Sequence, residues 1–85
     1  MEIFDKVSTI LSELSGIENI SPELKLQSEL GLDSLRMVTL LMMLEESFAL
    51  TLDESDMNPY DLFNVSDVIN LIQKYTGGEQ NEKND

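Results

Sequence analysis

Apolar residues recur at helical spacing along most of the chain, and no stretch alternates between apolar and polar residues as a half-buried strand would. The first apolar face predicts a helix that ends near Gly16, since glycine often ends helices in a left-handed conformation. This face consists of Ile3, Phe4, Val7, Ile10, Leu11 and Leu14. A long loop over residues 17–32 follows, and its apolar residues have no single period, so we expect them to pin the loop to the core. They are Ile17, Ile20, Leu24, Leu26 and Leu30.

A second helix and a short helical piece are predicted after this loop. Asp33 is a good N-cap residue, and the helical pattern that it opens continues to about residue 48 or 49. Asn58 followed by Pro59 is typical of the start of another helical turn, because proline suits the first helical position. The apolar and aromatic residues of this short piece are Tyr60, Leu62 and Phe63.

A last helix begins after Asn64, where Asp67 stands three residues later and can complete a capping box. Its apolar face consists of Val65, Val68, Ile69, Ile72 and Tyr75. Gly77 and Gly78 end it. The predicted fold is therefore all-α, a small four-helix bundle of three main helices and one short helix. Residues 1–76 form the domain, and residues 77–85 are expected to be a flexible polar tail.

The second helix has two separate apolar faces on a helical wheel. One is broad enough to supply the core, and it consists of Met37, Leu40, Leu41, Leu44 and Phe48. The other, here called the second stripe, lies about 140° away. It consists of Leu35, Val38 and Met42. From the pattern alone, either the 17–32 loop covers the second stripe, or the stripe is an exposed docking surface with Glu45 and Glu46 at its rim.

Length and composition indicate a domain that folds and works at its surface. A chain of 85 residues forms one small domain and buries only ~60% of its unfolded surface. Leu, Ile, Val and Phe make up roughly a third of the residues, above the ~20% below which charged chains tend to be disordered. A core of this size leaves no room for an enclosed active-site cleft of the usual kind.

The residue types that are absent exclude several kinds of chemistry. Without histidine or cysteine, the chain cannot form the usual zinc or iron–sulfur sites, disulfides, thiol nucleophiles or a Ser–His–Asp triad. A net charge of −12 argues against binding to nucleic acid or an anionic membrane and favours partners with basic patches. The amino terminus does not resemble a signal peptide, and the longest apolar run is too short to span a bilayer. We expect a cytoplasmic monomer.

Ser34 stands in the first turn of the second helix. Free backbone N–H groups and the positive end of the helix dipole stabilise an attached or bound phosphate at such a position. Position alone favours the simpler interpretation that Ser34 shares the capping with Asp33. Since no histidine is present to deprotonate it, a functional Ser34 would be an attachment point and not a catalytic nucleophile.

Residues 29–35 (ELGLDSL), followed by 44–48 (LEESF), resemble an acyl carrier protein. The similarity continues through Asn58-Pro59 and residues 64–68 (NVSDV), so it covers nearly the whole chain apart from the tail. The resemblance implies a non-catalytic carrier in which a phosphopantetheinyl transferase attaches 4′-phosphopantetheine to Ser34, and the thiol of that arm holds acyl groups as thioesters. It also implies that Asp33 and Leu35 help enzymes to recognise the site.

The resemblance further makes the second helix the docking face for the transferase and for acyl-loading and acyl-processing enzymes. Housekeeping fatty-acid carriers usually have Ala at the position of Leu32 and Asp-Thr-Val-Glu at residues 36–39, which here read RMVT. We therefore expect a standalone carrier of a specialised pathway, in fatty-acid, polyketide or related biosynthesis. The expected docking residues are Leu35, Arg36, Val38, Thr39, Met42, Glu45 and Glu46.

Three alternatives remain at this point. An aminoacyl or D-alanyl carrier would share the fold and the modified Ser34, and an acidic adaptor would bind partners without any modification. A calcium sensor is the third, because residues 53–58 (DESDMN) are rich in oxygen ligands. However, that loop lacks the glycine at its sixth position and the Glu at its twelfth that an EF-hand requires. We interpret residues 53–58 as solvated charge that flanks a helix, and we expect no metal site.

Overall fold

The computed structural model describes residues 3–77, which form three α-helices and two short 3₁₀ turns. The helices are α1 (Ile3–Ser15), α2 (Ser34–Ser47) and α3 (Val65–Thr76), and the turns are η1 (Glu54–Asp56) and η2 (Pro59–Asp61). No strand occurs between residues 3 and 77. The predicted all-α class is confirmed, and the three main helices end within two residues of the predicted positions.

The helix ends follow from capping groups that the sequence makes visible. Gly16 has a φ of +78° and donates its N–H to the carbonyl of Ser12 at 2.8 Å, which ends α1. At the start of α3, the Asn64 side chain accepts from the N–H of Asp67 at 3.0 Å, and the Asp67 carboxylate accepts from the N–H of Asn64 at 3.1 Å. This reciprocal capping satisfies backbone groups that the helix itself cannot pair.

The core lies between the inner faces of the three helices and is sealed by the 17–32 loop. Its fully buried side chains come mainly from α2, α1 and α3. They include Val7, Leu11, Met37, Leu40, Leu41, Leu44, Val65, Val68 and Ile72. From the loop, Leu26 and Leu30 are buried, while Ile17, Ile20 and Leu24 pack against the core at its edge. Each buried aliphatic side chain contributes about 1.5–3 kcal/mol relative to an exposed one, so the loop is part of the fold.

Backbone hydrogen bonds also fix the loop to the start of α3. Leu26 donates its N–H to the carbonyl of Phe63 at 2.9 Å, and Val65 donates to the carbonyl of Leu24 at 3.0 Å. The loop then turns back on itself, because Leu32 donates to the carbonyl of Leu26 at 3.0 Å. The segment that leads into α2 is therefore held both by the core and by the residues at the start of α3.

The segment between α2 and α3 differs from the prediction in two respects. The short helix expected after Asn58 is the 3₁₀ turn η2, and a second turn, η1, precedes it. The prediction that residues 53–58 are solvated charge is wrong for Asp56. Its carboxylate accepts hydrogen bonds from Lys74 at 2.9 Å and from the Tyr75 hydroxyl at 2.5 Å, so it fastens η1 to α3.

The carboxyl-terminal boundary agrees with the prediction as far as the structure extends. α3 ends at Thr76, and Gly77 follows with a φ of +78°. The predicted polar tail over residues 77–85 lies, beyond Gly77, outside the described residues. Among the helices of residues 3–77, none has the length and apolarity needed to cross a bilayer.

Candidate functional site

Ser34 is the first residue of α2, and Asp33 determines where that helix begins. Asp33 has an extended backbone (φ −80°, ψ −178°), and its carboxylate accepts from the N–H of Arg36 at 2.9 Å. Its carbonyl accepts the N–H of Met37 at 2.9 Å, which is the first bond of the helical ladder. Ser34 is exposed. The capping role predicted for Asp33 is confirmed, and it leaves the Ser34 hydroxyl outside the cap.

The residues before Asp33 hold this helix start in place. Gly31 has a φ of +72°, a conformation that is strained for residues with a Cβ atom. This turn sends Leu32 into the core, where only 1% of its surface is exposed. Leu32 therefore acts as an apolar anchor one residue before the cap.

The first turn of α2 offers backbone donors to an anion. Helices leave their first N–H groups without internal partners, and the positive end of the helix dipole lies at the same place. Asp33 takes the N–H of Arg36, whereas no acceptor within residues 3–77 takes the N–H of Ser34 or Leu35. An exposed hydroxyl beside two available N–H groups fits a phosphodiester attached to the Ser34 oxygen.

Tyr60 lies beside Ser34, and the sequence does not predict this contact. The hydroxyl oxygen of Tyr60 is 3.2 Å from the Ser34 Oγ, and either oxygen can donate the hydrogen. The Asn58-Pro59 pair predicted the turn that carries Tyr60. No local signal could show that this turn lies against the start of α2, because 26 residues separate the two hydroxyls.

The second stripe is exposed, as the docking interpretation expected. Leu35, Val38 and Met42 are 75%, 40% and 58% exposed, respectively. The alternative that the 17–32 loop covers them is wrong, because that loop packs instead on the core and on the residues that lead into α3. α2 therefore has one face in the core and an apolar face open to solvent.

Arg36 and Thr39 flank the second stripe but differ in what they bind. The Arg36 guanidinium donates to the carbonyl of Leu14 at 3.1 Å, and so connects the start of α2 to the end of α1. The Thr39 hydroxyl donates to the carbonyl of Leu35 within the same helix at 3.2 Å. Both residues are exposed. The only basic side chain of α2 is thus bonded to the end of α1.

Glu45 and Glu46 also have different environments. The Glu45 carboxylate accepts from the N–H of Leu52 at 2.7 Å and is half-buried, so it holds the chain that leaves α2. Glu46 is exposed. Both belong to a stretch from residue 37 to residue 73 that contains seven acidic residues and no basic one.

Within residues 3–77, no group of three or more acidic side chains is arranged to hold a metal ion.

Comparisons with known proteins identify the family. A family model described as a phosphopantetheine attachment site matches residues 5–72, a span that includes Ser34. An acyl carrier protein of Thermotoga maritima is 37% identical over 78 residues, which cover 89% of this chain and 94% of that protein. One from Desulforapulum autotrophicum is 39% identical over 77 residues, covering 87% and 97%. One from Clostridium acetobutylicum is 35% identical over 78 residues, covering 87% and 96%.

Proposed function

The chain belongs to the acyl carrier protein family, whose members carry covalently attached 4′-phosphopantetheine, and we propose that Ser34 is its attachment residue. It is a carrier on which other enzymes act, and membership of this family sets aside the unmodified adaptor. When bound, the arm supplies a thiol on which acyl groups are held as thioesters. The observation that carries the proposal is the exposed Ser34 hydroxyl at the first position of α2, directly after a capping Asp33.

The residues around Ser34 have separate tasks in this proposal. In the loading step, the Ser34 oxygen would form a bond to the phosphorus of coenzyme A that bears the pantetheine, the hydroxyl proton would be released, and the pyrophosphate bond would break with adenosine 3′,5′-bisphosphate as the leaving group. The N–H groups of Ser34 and Leu35, which no acceptor within residues 3–77 takes, would be available to the phosphodiester, whose negative charge a helix start favours. Asp33 keeps that helix start in place through Arg36. Leu35, which is 75% exposed, is the apolar contact beside the modified residue.

The proposed docking face surrounds the second stripe. Its members are Leu35, Arg36, Val38, Thr39, Met42, Glu45 and Glu46. An apolar centre with charged residues at its edge is typical of protein interfaces, in which the rim steers the encounter. The proposed partners are a phosphopantetheinyl transferase and acyl-loading and acyl-processing enzymes that present basic patches. Because coenzyme A supplies the arm, we place the carrier in the cytoplasm with that metabolite.

We further propose that the carrier serves a specialised branch of fatty-acid, polyketide or related biosynthesis. The support is the change at residues 36–39, where Arg36 and Thr39 replace acids that the housekeeping fatty-acid members usually have. Removal of two negative charges weakens the attraction of generic basic patches, and a cation adds repulsion. Discrimination by a repulsive element is a common source of specificity.

Intact mass measurement tests the assignment of Ser34. Incubation of the apo-protein with coenzyme A, Mg²⁺ and a broad-specificity transferase is expected to add the mass of one phosphopantetheine group. Ser34→Ala should gain nothing and keep the helical circular dichroism spectrum. Ser66→Ala is the matched control, because Ser66 also lies in a first helical turn. The Ser66→Ala protein should still gain one phosphopantetheine group. Modification of the Ser34→Ala protein would overturn the assignment.

A further inference from the structure

The Tyr60 hydroxyl lies within hydrogen-bonding distance of the atom that the proposed function makes the root of the prosthetic arm. The separation between the Tyr60 hydroxyl oxygen and the Ser34 Oγ is 3.2 Å. Within residues 3–77, no other side chain forms a hydrogen bond with the Ser34 hydroxyl. Tyr60 is itself 74% exposed, so its hydroxyl is accessible to a group attached at Ser34.

The backbone of η2 holds Tyr60 in this place. The Asn58 side chain accepts the N–H of Tyr60 at 3.0 Å, and Pro59 restricts the backbone at the first position of the turn. Leu62, two residues beyond Tyr60, is buried in the core and fastens the other end of the turn. The exposed ring is therefore carried by a segment that is fixed on both sides.

Attachment of a phosphodiester changes what this hydrogen bond can be. In the unmodified protein, either hydroxyl can donate to the other. Once the Ser34 oxygen is esterified, it has no hydrogen, and Tyr60 is the only donor of the pair. The attached group also adds two non-bridging oxygens that share a negative charge. A hydrogen bond to such an acceptor is shorter and stronger than one between two neutral groups.

Within residues 3–77, no basic side chain forms a hydrogen bond with the Ser34 hydroxyl. The guanidinium of Arg36, the nearest basic residue in sequence, is bound to the carbonyl of Leu14. The carboxylate of Asp33 is occupied by the N–H of Arg36 and supplies no donor. The neutral Tyr60 hydroxyl is therefore the side-chain donor that the structure already places beside the Ser34 oxygen.

We propose that Tyr60 is a positioning residue that donates its hydroxyl hydrogen to the phosphodiester on Ser34. This inference rests on the proposed function, since it requires the arm to be attached at Ser34. The hydrogen bond holds the root of the arm between the start of α2 and η2. The arm therefore leaves the carrier from a defined direction, beside the second stripe on which partner enzymes are proposed to dock.

Phosphorus NMR of the modified full-length protein tests this proposal without any enzyme assay. We expect the ³¹P resonance of modified wild type to be displaced from its position in the same protein unfolded in urea. Tyr60→Phe keeps the ring and removes only the hydroxyl, and its ³¹P resonance should be displaced less. We also expect this variant to give a narrower ³¹P line, because its phosphate is more mobile.

The other tyrosine of the chain supplies a matched control. Tyr75→Phe also removes one hydroxyl, but that group is bound to Asp56, so the variant should keep the wild-type ³¹P resonance. Amide spectra of unmodified Tyr60→Phe should match wild type outside η2 and the first turn of α2. Identical ³¹P resonances in modified wild type and Tyr60→Phe would overturn the role of Tyr60 alone. Failure of wild type to accept the group would overturn the proposed function and this inference together.

Discussion

Glu45 and Glu46 are neighbours in sequence, but within residues 3–77 only the carboxylate of Glu45 forms a hydrogen bond. The Glu45 carboxylate accepts the N–H of Leu52, a residue that is only 4% exposed. The Glu46 side chain is exposed to solvent. A buried N–H that loses its acceptor costs about 1–3 kcal/mol, while a surface charge rarely changes stability by more than about 0.5 kcal/mol. The two carboxylates that the sequence treats as equal rim charges are therefore expected to separate into a structural and a steering group.

We predict that Glu45→Ala lowers the free energy of unfolding by about 1 kcal/mol in urea denaturation, because the Leu52 N–H loses its acceptor. Glu46→Ala should leave stability unchanged. It should instead slow loading by the transferase several-fold at low salt, and the defect should shrink as salt is added. Equal loss of stability in the two variants would contradict the different environments. A loading defect of the same size at low and high salt would rule out steering by Glu46.

Residues that act on nearby backbone could be predicted, whereas those that act across the fold could not. Asp33 and Asn64 cap N–H groups only three residues away, so their roles are visible in the sequence. Tyr60 reaches Ser34 across 26 positions, and Arg36 reaches Leu14 across 22. Such contacts depend on how the elements pack, and no local pattern contains that information.

At the scale of the elements, the helical period predicts both faces of α2 but not which face remains exposed. The exposure of the second stripe depends on the path of the 17–32 loop, which is set by bonds such as that from Leu26 to Phe63. The turn η1 has only three residues, too few to show a period, so the sequence could not reveal it. Its attachment to α3 through Asp56 depends on the tertiary fold.

The hydrogen bonds of Asp56 to Lys74 and Tyr75 predict that the stability of the fold depends on pH. The hydrogen bond from Tyr75, followed by that from Lys74, lowers the pKa of Asp56 from the ordinary value of 3.8. A carboxyl group whose pKa is lower in the folded state stabilises the fold above the unfolded-state pKa, and this contribution is lost as the pH falls through the folded-state pKa. The hydrogen bond to Asp56 also raises the pKa of Tyr75 above its ordinary value of 10.0. The stability that this bond contributes is therefore lost only as the pH rises above 10.0.

Asp56→Asn should therefore be less stable than wild type at neutral pH, and the difference should shrink as the pH falls below 3.8. Urea denaturation at a series of pH values measures it. Asp61→Asn is the matched control, because Asp61 is exposed and its carboxylate forms no hydrogen bond within residues 3–77. That control should follow wild type at every pH. A stability difference between wild type and Asp56→Asn that is independent of pH would contradict the contact.

For the whole molecule, we expect the distribution of charge to influence which partners approach the proposed docking face. The acidic stretch over residues 37–73 would attract basic surfaces, whereas Arg36, which directly precedes it, and Thr39 add no negative charge near the proposed attachment site. The fold adds a constraint that the sequence did not show, because Arg36 also connects α2 to α1 through Leu14. A change at Arg36 would therefore affect this connection as well as the proposed partner contacts, whereas the Thr39 hydroxyl bonds only within α2, to the carbonyl of Leu35.

We predict that Thr39→Glu improves elongation by generic fatty-acid synthase enzymes and that Arg36→Asp combined with Thr39→Glu improves it further. Each rim charge contributes about 1 kcal/mol or less, so the gain should be several-fold. Comparison of kcat/KM for a generic ketosynthase measures it, and the single variant isolates the charge from the Leu14 contact. Equal elongation of wild type and both variants would show that these positions do not set partner choice.

The central claim is that Ser34 carries the arm, and peptide mapping of the modified protein tests it most directly. Cleavage after Lys25 and Arg36 releases residues 26–36 (LQSELGLDSLR), which contain both Ser28 and Ser34. Fragmentation of this peptide separates the two serines. We predict that the phosphopantetheine mass appears only on fragments that include Ser34. Its presence on Ser28 or on any other peptide would contradict the account.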